Sequence, residues 1–287
     1  MNTSAPTSAP TSVATPLATL PSGESGVADG IVRMIANLPY TGDAFASLRQ
    51  RLDLYLPEQA AGRERFPMLC FVHGGALMMG DKSLVRSLGM CCARNGIAVA
   101  AFNHRLSPAV THPAHIEDIA AAIAWVADNI GRHGGDASRI GIAGHSSGAY
   151  LAALLASDHR YLQRHGFDAN RLRAVVPISG FFHVERLAPE RPKHVWGEDS
   201  VGWTDASPAT HLRSPHPPTL LLYADGDDEA RRKESLDYGA RLRDVNVVLE
   251  VQQIASRDHR SIFSRMTRPD DPAMHAMLRF LREHLVG

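Results

Sequence analysis

Apolar positions along this chain follow two spacings. Leu52, Leu54 and Leu56 alternate with polar or amphipathic neighbours across residues 49–57. That is the period of a half-buried strand at a sheet edge. Farther on, the alternation gives way to short runs that are apolar at nearly every position. They occupy residues 67–72, 97–102, 140–143, 174–178, 219–223 and 247–251. Such runs predict strands covered on both faces. The second spacing is helical. Ile116, Ile119, Ile123, Val126 and Ile130 recur after Pro113, and residues 149–156 are rich in Ala and Leu. Met274, Met277, Leu278, Leu281 and Leu285 make a stripe on a last helix that opens near Pro272.

Strand and helix patterns alternate, which predicts an α/β domain: a mainly parallel central sheet with helices on both faces. Residues 1–22 break the pattern. They are dense in Ser, Thr, Ala and Pro and bury too little to order themselves, so a disordered tail is expected there. Residues 23–287 then form one domain, with no internal repeat. The least regular stretch, 182–218, holds several prolines and two tryptophans. It is long for a plain loop and is expected to fold into short helices over a site.

Composition narrows the partners. Lys+Arg and Asp+Glu balance at 30 each, which argues against nucleic acid or an acidic membrane surface as a partner. The three cysteines, Cys70, Cys91 and Cys92, match no metal spacing. They read as reduced core thiols, suited to a reducing compartment. No apolar run is long enough to span a bilayer, and the N-terminus lacks a secretory pattern. A cytoplasmic location is the default expectation.

The chemistry gathers at Ile140-Gly-Ile-Ala-Gly144-His145-Ser146-Ser147-Gly148. A Gly-x-Ser-x-Gly between a predicted strand and a predicted helix places Ser146 on a sharp, exposed turn. The helix start beneath it favours developing negative charge. A second strand end carries His73-Gly74-Gly75-Ala76. Acyl transfer needs donors aimed at an oxyanion. Gly74, Gly75 and Ala76 are the candidates, with the N–H of Ser147. His73 precedes the serine, against the chain order Ser, acid, His, and is expected to hold the loop by hydrogen bonds. The acid should follow a downstream strand, where Asp225, Asp227, Asp228 and Glu229 compete. Asp227, just after Gly226, is preferred; Asp228 is the alternative. Of the three histidines beyond it, His275 and His284 lie on the last helix. His259, just after the last strand, is the candidate base.

With these residues in place the chain resembles the esterase branch of the α/β-hydrolases, which includes hormone-sensitive-lipase-like carboxylesterases, acetyl- and feruloyl-type esterases and kynurenine formamidases. The resemblance rests on Leu52-Asp-Leu-Tyr-Leu-Pro57, His73-Gly-Gly75, Gly80-Asp-Lys82, Asn103-His-Arg-Leu-Ser-Pro108, Pro113-Ala-His-Ile-Glu-Asp118, Gly134-Gly-Asp136, Gly144-His-Ser-Ser-Gly148 and Ala206-Ser-Pro208, in the family's order. It implies an α/β-hydrolase fold and an acyl-enzyme mechanism that uses no metal or organic cofactor; the segment before the first strand is short, so no large cap domain is expected. Ser146 would be the nucleophile, His259 the general base and Asp227 the orienting acid. There are departures. Ala76 and Leu77 follow the glycine pair where the family often has glycine or an aromatic. The tryptophan that would favour a formamidase is absent. His104 stands where tyrosine is common.

The expected activity is hydrolysis of small, short-acyl carboxylic esters. An arylformamidase or other small-amide hydrolase is the alternative. A prolyl-oligopeptidase-like peptidase lacks its propeller here. A non-catalytic binding protein of the same fold is disfavoured by the presence of all three triad candidates. Pocket walls are expected from Leu77, Met78 and Met79, from Phe181 and Phe182, and from Trp196 or Trp203. The expected partner is a small ester; homodimerisation is left open.

Overall fold

The computed structural model describes residues 32–42, 47–58, 64–187 and 193–286. The stretch 1–22 lies outside them. Eight strands form one sheet: β1 (Val32–Pro39), β2 (Arg51–Pro57), β3 (Phe66–Val72), β4 (Ala98–Phe102), β5 (Gly135–His145), β6 (Leu172–Ile178), β7 (Thr219–Gly226) and β8 (Leu249–Asp258). Their spatial order is β1-β2-β4-β3-β5-β6-β7-β8. β1 and β2 run antiparallel to their neighbours, and all other pairings are parallel.

The helices are α1 (Arg86–Arg94), α2 (Ala114–Asn129), α3 (Ser147–Ser157), α4 (Arg160–Arg164), α5 (Lys193–Trp196), α6 (Ser200–Asp205), α7 (Glu229–Asp244), α8 (Ser261–Ser264) and α9 (Pro272–Leu281). The continuous apolar runs are explained by the two cores they feed. Met68, Cys70 and Val72 of β3 pack with Ile119, Ile123 and Leu151 of α2 and α3 on one face. Leu69 and Phe71 pack with Leu88 of α1 and Met277 of α9 on the other. This is the mainly parallel, helix-covered sheet expected from the alternation of strands and helices, and the α/β-hydrolase fold that the resemblance implies. All three cysteines are buried and unpaired.

The edge was misplaced by the sequence pattern. β2 is second in the sheet and buried through its middle, with Leu52, Leu54 and Leu56 on one face and Tyr55 on the other. Asp53 within it is neutralised by Lys82, whose Nζ lies 2.7 Å away. The true edge is β1, whose half-buried positions Val32, Ile35 and Leu38 recur every third residue. A shift in pairing register between Ile35 and Leu38 breaks the alternation that would have revealed it.

The stretch between β6 and β7 does supply short helices, α5 and α6 among the described residues. Their side chains pack mainly on the α2–α3 face. Among the described residues no helix is long and apolar enough to cross a membrane.

Candidate active site

The turn from β5 to α3 holds Ser146 at φ 57° and ψ −119°, backbone that an L-residue adopts only under constraint. The constraint is close packing. A Cβ on Gly148 would stand 2.1 Å from the carbonyl oxygen of Val72, so only glycine lets α3 start against β3. Ser146 N–H donates to the Ile178 carbonyl at 2.9 Å, hanging the turn on the end of β6.

The other two candidates meet Ser146 from separate strand ends. His259 Nε2 lies 3.0 Å from Ser146 Oγ, and its Nδ1 lies 2.9 Å from Asp227 Oδ1. The second carboxylate oxygen of Asp227 accepts from Ser179 Oγ at 2.6 Å and from Ala224 N–H at 3.0 Å. Burial pushes the Asp227 carboxyl up, but the hydrogen bonds from His259, Ser179 and Ala224 outweigh it and hold it below the usual range. The carboxylate therefore stays ionised beside the imidazole.

The neighbouring acids have other partners. Asp228 caps α7 by accepting from Arg231 N–H at 2.8 Å. Asp225 accepts from the N–H groups of Ser256 and Arg257, pinning the end of β8. His275 is exposed and His284 half-buried on the last turns of the chain, away from this group.

Two supporting residues escaped the sequence reading. One is Ser179, which braces Asp227. The other is His145, whose Nε2 donates to the His259 carbonyl at 2.7 Å while its ring stacks on Phe263 at 5.1 Å. Burial first, then the nearby His259 ring, pushes the His145 imidazole down to about 3, so it is neutral. Neither residue belongs to a position that the Gly-x-Ser-x-Gly pattern specifies.

The loop after β3 folds against Ser146. Gly75 takes φ 135°, and a Cβ there would meet the Met79 carbonyl oxygen at 2.1 Å. Its own carbonyl accepts from the N–H groups of Met78 and Met79, both at 3.0 Å. Ala76 and Leu77 are also left-handed, at φ 57° and 63°. Two bonds fix this strained turn. Leu77 N–H donates to Ser147 Oγ at 3.3 Å, and His73 Nδ1 donates to the Gly74 carbonyl at 2.8 Å. Burial holds the His73 ring down to about 4, hence neutral.

Gly74, Gly75 and Ala76 border a cavity of about 560 Å³ beside Ser146 and His259. Its apolar lining comes from Met79, Leu84 and Leu88, between β3 and the middle of α1, and from Phe263 and Met266, after β8. Most of the residues expected as walls are elsewhere. Leu77 is fully buried, and Met78 packs against the same core. Phe181 stacks on Tyr150 at 4.8 Å, with Trp196 edge-on to it at 5.9 Å. Phe182 stacks on Tyr238 at 4.0 Å. Trp203 is half-buried and donates from Nε1 to the Gly197 carbonyl. The chain after β6 turns toward α3 and α7, so its aromatics fill the core there. Only Met79 among the expected wall residues reaches the cavity.

The profile of the BD-FAE family matches residues 52–242, more than half of the chain. The chain is similar to the esterase LipQ of Mycobacterium tuberculosis, 34% identical over 215 residues, covering 66% of this chain and 48% of that protein. It is similar to the isoprenylcysteine alpha-carbonyl methylesterase ICME of Arabidopsis thaliana, 28% identical over 237 residues, covering 75% and 55%. The chain thus spans about half the length of the curated relatives it matches. Among solved structures, a truncated carbohydrate esterase from gut microbiota superposes with TM-score 0.75 at 21% identity, covering 90% of this chain and 98% of that one. Esterase B from Lactobacillus rhamnosis also gives 0.75, at 20% identity, covering 89% and 86%. These likenesses carry the fold.

Proposed function

The chain belongs to the BD-FAE family, and on that premise we propose that it is a carboxylic ester hydrolase working through Ser146, His259 and Asp227. The observation that carries this is the unbroken chain of contacts from Ser146 Oγ through His259 to the buried Asp227 carboxylate, at 3.0 and 2.9 Å. That is the spacing a nucleophile, its base and an orienting acid require. The names of its relatives, esterase and methylesterase, agree with it.

In this reading His259 Nε2 takes the Ser146 proton as Oγ attacks the ester carbonyl carbon. Negative charge moves to the carbonyl oxygen. Ser147, first residue of α3, has an N–H with no acceptor one turn back in its own helix. With N–H groups drawn from Gly74, Gly75 and Ala76 it stabilises that charge. The tetrahedral intermediate then expels the alkoxide, which takes the proton from His259. Water repeats the sequence on the acyl-enzyme, freeing the carboxylic acid and Ser146. Asp227 keeps the imidazole oriented and offsets its charge while it holds the proton.

Short acyl groups suit the site. Phe181, Phe182 and Trp196, which could have walled a long channel past β6, are committed to packing. A further buried methylene is worth about 0.8 kcal/mol only where space receives it, so acyl groups of about two to six carbons are favoured. Three buried, unpaired thiols suit a reducing compartment such as the cytoplasm.

The test is a substrate panel of p-nitrophenyl acetate, butyrate and octanoate, a feruloyl ester and N-formylkynurenine, with Ser146→Ala as control. Acetate or butyrate should lead in kcat/KM, and the variant should be inert. A steady rise through octanoate would overturn the short-acyl preference. N-formylkynurenine leading every ester would replace ester with formamide hydrolysis.

A further inference from the structure

The position of the cavity relative to the imidazole distinguishes the two halves of an ester. The leaving oxygen must reach His259 Nε2 to be protonated, so the alcohol lies on the imidazole's flank and the acyl group on the other. One wall of the cavity is the segment that carries His259 itself, through Phe263 and Met266. Leu84 and Leu88 line it as well, from the turn before α1 and from α1 itself. None of the described residues after β6 and before β7 lines it. Its volume, about 560 Å³, falls within the range of small-molecule sites.

Its charge is one-sided. Among the described residues that line it there is no carboxylate, and the one permanent cation is Arg260, exposed at its edge. Two arginines of the same segment are held, Arg257 by Asp271 at 2.7 Å and Arg268 by Asp270 at 2.9 Å. The Arg260 main chain is fixed by its N–H to Asp258 Oδ1 at 2.9 Å, while its guanidinium has no hydrogen bond or ion pair to another described residue. A fixed main chain with a free planar fork beside an apolar slot can take a carboxylate bidentately.

We propose, resting on the ester-hydrolase reading above, that this cavity receives the alcohol half of the substrate, that the alcohol is an aryl or branched alkyl group, and that Arg260 binds a carboxylate carried on it. The substrate class is then short-acyl esters of apolar, carboxylate-bearing alcohols. Hydrolysis releases that hydroxy acid, with its alkoxide protonated by His259, and a short-chain acid.

Two isomeric esters test the orientation without changing leaving-group chemistry much. Benzyl acetate places the ring on the alcohol, and methyl phenylacetate places it on the acyl side. Benzyl acetate should lead in kcat/KM by about ten-fold or more, the worth of withdrawing a ring from water. A lead by methyl phenylacetate, or equality, would overturn the assignment of the cavity to the alcohol. Benzyl acetate with a para-carboxylate should then exceed benzyl acetate several-fold, mainly through KM, and Arg260→Gln should collapse that ratio to near one. No preference for the acid, or a preference that survives Arg260→Gln, would overturn the role of Arg260. Failure of both isomers together with p-nitrophenyl acetate would remove the ester-hydrolase reading itself. Turnover of p-nitrophenyl acetate alone would remove only the alcohol-pocket proposal.

Discussion

His145 donates to the carbonyl of His259 at 2.7 Å, so the residue before the candidate nucleophile holds the main chain of the candidate base. The two rings lie 4.8 Å apart, and Phe263 stacks on His145 at 5.1 Å. The imidazole of His259 is therefore aimed from two ends, by Asp227 at its side chain and by His145 at its backbone. His145→Ala should lower kcat by about 10- to 100-fold, since a partly buried carbonyl left without its donor costs up to about 1–3 kcal/mol. KM should move little. His145→Gln, which keeps a donor, should recover part of the loss. Steady-state kinetics on p-nitrophenyl acetate check this; a loss seen only in KM, or no recovery by Gln, would reject the positioning role.

Ser146 links rate to stability. Ser146→Ala should remove turnover by several orders of magnitude while leaving the fold intact. Ser146→Gly should be equally inactive but more stable than the alanine variant by about 1 kcal/mol, because glycine accepts φ 57° and ψ −119° without strain. Thermal melting of the two variants side by side decides it. Equal melting temperatures would show that the turn stores no strain at this residue.

Asp227 and Asp228 should separate cleanly. Asp227→Asn should cut kcat by roughly 10⁴-fold, because an amide cannot hold the correct imidazole tautomer and charge. Asp228→Ala should leave kcat unchanged and cost about 1 kcal/mol of stability through the lost cap of α7. Kinetics with urea unfolding measure both. The reverse pattern would move the acid to Asp228.

Acid should unfold this protein through its buried histidines. Burial holds His73 and His115 down to about 4 and His145 to about 3, and pushes His104 down as well. An unfolded imidazole titrates near ~6.5. Unfolding therefore takes up protons between those values, and stability present above about pH 6.5 is lost as pH falls toward 4. Each such group contributes up to about 1.4 kcal/mol per pH unit, so between pH 6.5 and 4 three of them together remove up to about 10 kcal/mol, comparable with a net stability of about 5–15 kcal/mol. The melting temperature should be flat from pH 7 to 8, fall steeply below about pH 6, and vanish near pH 4. A flat profile down to pH 4 would contradict this.

The strands were legible because burial on both faces leaves an unmistakable mark, as in β3, where Phe66–Val72 feed two cores. That Ser146 and His259 come together, 3.0 Å apart, was foreseeable because a turn of fixed geometry and a strand end constrain them locally. β1 was not, since its bulge erases the alternation. The cavity wall was also hidden. Leu84 and Leu88 meet Phe263 and Met266 only through the docking of two segments far apart in the chain. Phe181, Phe182 and Trp196 looked like pocket walls because a large aromatic near a strand end is equally suited to either task. The direction of the chain after β6 decides it, and no local spacing encodes that direction.

The two sides of the cavity differ in how freely descendants of this chain can diverge. Phe263 touches not only the cavity but also His145 at 5.1 Å and Phe71 at 5.5 Å. A substitution there alters the slot and disturbs the support of the base together. Leu84 lines the cavity from another segment, more than half exposed, in a short turn whose start is capped by Asp81 rather than by any residue of the candidate triad. If the cavity takes the alcohol as proposed, natural drift or a directed-evolution library that reshapes that side should trade one alcohol for another while preserving the rate of the chemical step.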